Sequence, residues 1–217
     1  MAARQPIRTL VYGDNAFSYH RIDDVGPLFT AILRDRDGIE ATVTDDPAPL
    51  AAPSDHDYDV VLDYSTDRDR TAAQSAGLCG FVRGGGGYVG LHGAAVVQQP
   101  EAPDQAALEE LLGGRFLGHP ALTDLGVTVA DPTHPVTAGV ADFTITDEPY
   151  ELRWDDDVTV LAWTHHDAIG RMPVVWTRTA GDGRVCYYAN GHDARAFATP
   201  AFQRIVAQAI EWAAGRT

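Results

Sequence analysis

The sequence predicts an α/β fold built on a largely parallel sheet, and three observations carry that reading. Short, nearly continuous apolar runs alternate with stretches of helical spacing through the first half of the chain, which is the pattern of strands buried on both faces. The glycine run Gly84-Gly85-Gly86-Gly87 enters the apolar segment Tyr88-Val89-Gly90-Leu91 and stops at His92-Gly93-Ala94, as a central strand does when it delivers a side chain into a sharp turn. From Asp124 onward the texture changes to short extended segments separated by Gly- and Asp-containing turns. With 217 residues there is enough chain for one substantial core, and residues 1–217 are expected to form a single domain.

Taken in order, residues 7–12 form a first strand closed by the turn residues Gly13-Asp14-Asn15. The apolar positions Val25, Leu28, Phe29, Ile32 and Leu33 place a helix within Asp23 to Asp37. Residues 39–44 and 58–64 return as strands, and Thr71 to Arg83 is the helix that leads into the glycine run. That run follows a helix and precedes a strand, the reverse of a phosphate-binding loop, so it is best read as a helix stop and a tight connection. Ala106 to Leu112 is a short helix stopped by Gly113-Gly114. Residues 126–130, 143–146, 151–154, 158–163, 174–177 and 184–188 are extended, the last three segments as an antiparallel extension. Thr199-Pro200 opens a final helix with Phe202, Ile205, Val206, Ala209 and Ile210 on one face.

Composition narrows the function classes. A hydrophobic fraction of 45% excludes a disordered chain, while no apolar run approaches the roughly 20 residues that span a bilayer. Met1 to Pro6 lacks the apolar stretch of a secretory leader, so a cytoplasmic protein is expected. The formal net charge is −15 and every basic residue is Arg, which argues against a nucleic-acid partner. Cys79 and Cys186 lie far apart in apolar surroundings, as small buried hydrophobes do. The acidic, lysine-free composition fits high-salt adaptation or GC-rich coding and carries no function.

Chemistry is sought at predicted strand ends, because ligands of open α/β sheets bind at the carboxyl edge. His20 follows the first strand, His92 ends the central one, Glu148 follows the turn at Asp147, and His192 comes after the last strand. If the first, central and last strands are parallel neighbours, His20, His92 and His192 meet in one crevice. Three imidazoles and a carboxylate can hold a borderline divalent cation such as zinc, or divide acid and base roles on a polar substrate. The catalytic candidates are therefore His92, His192 and Glu148, with His20, His92 and His192 as the metal set. His20, Asn15, Tyr150 and His165 are the candidate substrate contacts. The plainer readings are that His92 only fixes its turn, Glu148 only caps or pairs, and Tyr150 is core. His134 is read as structural, and His56 and His119 as surface residues. Trp154, Trp163 and Trp176 are read as core, and Asp155-Asp156-Asp157 as a solvated turn.

One resemblance covers nearly the full chain. Gly85-Gly86-Gly87-Tyr88-Val89-Gly90-Leu91-His92-Gly93-Ala94 is similar to the Gly-Gly-Gly-aromatic-Val-Gly-Leu-His-x-Ala element of ThuA-like (trehalose-utilisation) proteins. Asp131 to Gly139, Asp147 to Tyr150, Gly183 to His192, the Tyr19-His20 pair and Pro200 to Ala213 agree with it in order. The resemblance implies a flavodoxin-like, class I glutamine amidotransferase-like sandwich with a mostly parallel central sheet and an antiparallel extension. In such amidotransferases the central strand ends at a nucleophilic Cys paired with a later His. Here those places fall on His92 and His192, and neither cysteine stands at an elbow, so a glutaminase has no nucleophile. The resemblance implies an enzyme of carbohydrate utilisation, a hydrolase, lyase or isomerase of a disaccharide or keto-sugar, with a small carbohydrate as partner and homo-oligomer formation open. The alternative is a non-catalytic sugar-binding or regulatory protein on the same scaffold.

Overall fold

The structure, a computed structural model, describes residues 5–34, 36, 38–66, 70–96 and 103–216. The elements run β1 (Ile7–Tyr12), α1 (Ile22–Arg34), β2 (Ile39–Thr44), β3 (Val60–Asp63), α2 (Ala72–Arg83), β4 (Gly87–Leu91) and α3 (Pro103–Leu112). They continue as β5 (Gly114–Gly118), β6 (Thr123–Val129), β7 (Phe143–Asp147), β8 (Glu151–Trp154), β9 (Thr159–His166), β10 (Gly170–Ala180), β11 (Gly183–Tyr188), α4 (Ala194–Phe197) and α5 (Pro200–Ala213). Nine strands form one sheet in the order β2-β1-β3-β4-β11-β10-β9-β6-β7, and β5 and β8 pair in a separate ribbon. The five strands β2-β1-β3-β4-β11 are mutually parallel, and β10, β9, β6 and β7 add antiparallel. The parallel half has the flavodoxin-like strand order.

The period-2 alternation of the strands sorts two cores. Val11, Leu62, Val89 and Tyr188 face Phe29 and Leu33 of α1 and Phe202, Ile205 and Ile210 of α5. Their chain neighbours Leu10, Val61, Tyr88 and Tyr187 face Leu78 and Val82 of α2 and Leu108 and Leu111 of α3. Each fully buried side chain of this size contributes about 1.5–3 kcal/mol of transfer free energy, so both layers are needed. The glycine run does what its position implies. Gly84 caps α2, whose start is a capping box between Thr71 and Gln74, and Gly85 turns at φ +110°. At Gly87 a Cβ would lie 2.8 Å from the backbone of Ala213, so Gly lets α5 pack directly on the start of β4.

Several expectations are corrected. The first, central and last parallel strands are not all neighbours, because β3 lies between β1 and β4. The last strand, β11, belongs to the parallel half as well as to the antiparallel extension, since it pairs with both β4 and β10. Helix α1 ends at Arg34, and α3 begins at Pro103, earlier than its apolar spacing implies. Gly114 is the start of strand β5 as well as the residue after a helix stop.

Candidate active site

Four segments meet at the carboxyl edge of the parallel strands: the turns after β1, β3, β4 and β11. Two of them hold their histidines in left-handed backbone, His20 at φ +55° and His92 at φ +47°. Such conformations cost of order 1–3 kcal/mol each for a non-glycine residue and persist where surrounding structure imposes them. At Gly93 an added Cβ would stand 2.3 Å from Thr66 Oγ1, so Gly allows the β4 turn to close on the turn after β3. That same Thr66 Oγ1 lies 3.0 Å from His20 Nδ1, and the Thr66 amide donates to Asp14 Oδ2 at 2.6 Å.

The imidazoles are oriented by partners behind them. His92 is fully buried, and its Nδ1–H donates to the Ala189 carbonyl at 2.8 Å, which turns the Nε2 lone pair inward. Around that nitrogen stand the Tyr150 hydroxyl at 2.8 Å, His20 Nε2 at 3.0 Å and Glu148 Oε2 at 3.4 Å. His192 Nδ1 lies 2.7 Å from His20 Nε2 and 3.2 Å from Glu148 Oε2. Asp147 ties the two carrying loops together by accepting from the amides of Glu148 at 2.8 Å, Gly191 at 2.7 Å and His192 at 3.3 Å.

Burial and proximity set the charges. Burial, followed by the neighbouring His92 and His192, pushes the His20 imidazole down to about 2, so His20 is neutral. Burial acts to raise the Glu148 carboxyl, but the neighbouring His192 and His92 imidazoles outweigh it and hold Glu148 below the usual carboxylate range. The hydrogen bond with Glu148 raises His192 against the opposing effect of burial. Burial keeps the Tyr150 phenol protonated, well above its ordinary value.

The donor set fits a divalent cation. The facing atoms of His20, His92, Glu148 and His192 all lie within 4.8 Å of one another. The close pairs among them are 2.7 to 3.4 Å apart. A tetrahedral ion with ligands at about 2.0–2.1 Å spaces its donors roughly 3.3 Å apart, so the four close pairs already stand near ligand spacing. Three nitrogen donors and one carboxylate suit zinc and its neighbours better than calcium or magnesium. In front of the cluster is a cavity of about 370 Å³, lined by Phe17, Tyr19, His20, Thr66, Val96, Phe116, His119, Glu148, Tyr150 and His192. That volume falls at the small end of ligand sites.

Of the residues expected at the site, the structure brings together His20, His92, Glu148, His192 and Tyr150. Asn15 and His165 are not among them. Asn15 donates to Asp45 at 3.2 Å, and its side-chain oxygen accepts from the Asp23 amide at the start of α1, which is a capping role. His165 points to solvent from β9 beside Asp167 and lines a different depression with Trp163 and Arg171. His119, read as a surface residue, lines the cavity with Nε2 3.7 Å from Glu148 Oε1. Its signal was available in Phe116-Leu117-Gly118-His119-Pro120, an aromatic and a histidine leading into a proline-fixed turn. Trp154 and Trp163 are half-buried, whereas Trp176 is core, with Nε1 donating to the Leu112 carbonyl. The Asp155 and Asp157 carboxylates pair with Arg178.

Fold and site together define a flavodoxin-like α/β protein with a buried three-histidine, one-carboxylate cluster at the sheet's carboxyl edge. The chain belongs to the ThuA (trehalose utilisation) family, whose model matches residues 8–213. A ThuA-like protein from Parabacteroides merdae is similar in structure, with TM-score 0.80 and 18% identity over 97% of this chain and 90% of that chain. One from Bacteroides uniformis has TM-score 0.79 and 23% identity over 98% and 94%. A Salmonella typhimurium protein described as cytoplasmic has TM-score 0.65 and 13% identity over 94% and 98%. At these identities the likeness speaks for the fold. No curated protein sequence matches the chain. Among the described residues no helix is long and apolar enough to cross a membrane.

Proposed function

We propose that this chain is a cytoplasmic enzyme of carbohydrate utilisation that acts on a disaccharide or keto-sugar at a divalent-cation centre held by His20, His92, Glu148 and His192. The observation that carries the reading is the convergence of three inward-facing imidazole nitrogens on one ionised carboxylate at the floor of a sugar-sized cavity. Family membership supports the substrate class. The β4 turn supports a kinship with class I glutamine amidotransferases, since His92 occupies a strained strand-to-turn elbow of the kind that presents a nucleophile. Cys186 is fully buried, and burial pushes its thiol far up, so no thiolate replaces the missing nucleophile.

A bound cation would supply Lewis-acid polarisation of a substrate oxygen. The residues of the chain supply the rest. With a cation on His92 Nε2, the protonated Tyr150 hydroxyl beside it would be free to donate to a substrate oxygen at the cavity floor. Glu148, through the oxygen turned away from the cluster's imidazoles, accepts a hydrogen bond from a sugar hydroxyl. Thr66 and Ala189 fix the His20 and His92 rings so that no reorientation accompanies the reaction. The test is turnover of trehalose and of a keto-disaccharide before chelation, after it, and after return of zinc. The expected result is loss and recovery of activity. Undiminished turnover by a metal-free protein ends the metal reading, and sugar binding without any turnover assigns the chain to sugar binding alone.

A further inference from the structure

The β5–β8 ribbon stands apart from the main sheet, and its pairing carries an extra residue beside the site. Phe116 pairs with Leu152 and Gly118 with Glu151, so Leu117 is the added residue of a bulge, a device that re-aims neighbouring side chains. In an unbroken strand, residues three apart face opposite ways. The added residue returns Phe116 and His119 to one side, and both line the cavity. The Phe116 ring lies 4.4 Å from that of Tyr150, tilted by 55°, and the Tyr150 ring stacks on His92 at 4.3 Å. Phe116 therefore continues the wall that rises from the cluster. It is half-buried and braced by the apolar layer under α2 and α3. Phe17 and Tyr19, their rings parallel within 3° and 5.1 Å apart, add aromatic surface to the same cavity. Among the described residues, the large hydrophobic side chains left exposed are Tyr19 and Leu117, at 48% and 52%. Tyr19 lines the cavity and Leu117 adjoins Phe116, so the large apolar groups that folding leaves uncovered gather here. The cavity thus sets oxygen- and nitrogen-bearing groups beside flat apolar rings. A pyranose has the same division, with hydroxyls round its edge and C–H bonds on its faces, whereas an open-chain polyol offers an aromatic ring no such face.

We propose that Phe116, aimed into the cavity by the Leu117 bulge, is a specificity-determining residue whose ring takes the apolar face of a closed sugar ring, so that the site selects pyranosides over open-chain polyols. The proposal rests on the reading of the cavity as a sugar site and adds the ring form of the substrate and the residue that reads it. The test is calorimetric titration of the parent protein, Phe116→Leu and Phe116→Tyr with trehalose, methyl glucopyranoside and sorbitol. The parent should bind both closed-ring probes more tightly than sorbitol. Phe116→Leu keeps apolar bulk without the flat face and should weaken the two ring probes about three- to tenfold, whereas Phe116→Tyr keeps the face and should stay within about twofold of the parent. Sorbitol affinity and the zinc each protein retains should be the same in all three, which a merely structural role for Phe116 would not leave untouched. Ring-probe affinities unchanged in Phe116→Leu, or lowered equally in Phe116→Tyr, or sorbitol bound by the parent as tightly as the glucoside, overturn the subsite while leaving metal-dependent turnover standing. Failure of every probe to bind the parent removes the subsite together with the sugar-site reading.

Discussion

His20 Nε2 stands 2.7 Å from His192 Nδ1 although 172 positions separate the two residues in sequence. Parallel strands bring them together: β1 and β11 run in the same direction, and both end at the edge where β4 delivers His92. The contact leaves three ring nitrogens and a carboxylate sharing fewer protons than lone pairs. A divalent cation shared by these donors would relieve that crowding.

Thr66 tests the orientation of this cluster. Thr66→Val keeps the volume and removes the hydroxyl beside His20 Nδ1. Zinc affinity, measured by competition with a chromophoric chelator, should fall about 10–100-fold, as it does when the outer partner of a ligating histidine is lost. Unaltered affinity would show that His20 needs no such support.

The metal-free protein should have an acid limb set by His20. Its pKa, pushed down to about 2 by burial and then by His92 and His192, lies below the unfolded value of about 6.5. The unfolded chain therefore takes up a proton that the folded chain refuses, and stability falls as pH drops below about 6.5, by about 1.4 kcal/mol at pH 5.5. The pair of Glu148 and His192 behaves differently. Lowered Glu148 contributes above about pH 4.3 and loses that contribution as pH falls further, whereas raised His192 contributes below about 6.5 and loses it as pH rises through its folded value. Denaturant titration of His20→Gln without metal should show a flatter decline between pH 7.5 and 5.5 than the parent, while Glu148→Gln should lose most stability between about pH 4.3 and 6.5. Parallel pH profiles would refute both assignments.

Arg70 should prove structurally indispensable. Its Nη2 donates to Asp63 Oδ2 and Ser65 Oγ, both at 2.6 Å, with the Arg70 and Asp63 side chains each only 1% exposed. Tyr88 donates to the same Asp63 oxygen at 2.8 Å, so the network ties β3 and β4 to the turn that carries Thr66. Arg70→Ala leaves the Asp63 carboxylate without its cation and should cost about 3–5 kcal/mol by denaturant unfolding. A cost under about 1 kcal/mol would show that solvent replaces the guanidinium.

The double variant Cys79→Ala, Cys186→Ala should keep its turnover of sugar substrates. Both cysteines are buried and outside any disulfide, and neither lies at the site. Loss of turnover with an intact thermal midpoint would restore a thiol mechanism.

Much of this arrangement is legible in the residues. The β4 turn announces itself, since glycines, a short apolar run and His-Gly-Ala have few other structural uses. His20, Glu148 and His192 follow from looking at strand ends. Strand β5 does not announce itself, because Gly113-Gly114 also stops a helix and, among the described strands, Gly114–Gly118 pairs with β8, 33 or more residues away in sequence. Missing β5 hides His119, which the ribbon carries to the cavity. His165 lies elsewhere, exposed on β9 beside Asp167 and lining a different depression with Trp163 and Arg171. Asn15 sits close to the site, but its short amide is consumed by the start of α1.

Metal content decides whether the four convergent side chains hold a cation. Elemental analysis of the purified protein by inductively coupled plasma mass spectrometry, with His20→Ala and His92→Ala beside it, tests that claim most directly. About one equivalent of a zinc-like divalent metal per chain is expected in the parent and lost in both variants. Equal trace metal in all three proteins, after incubation of each with excess zinc and desalting, would contradict it.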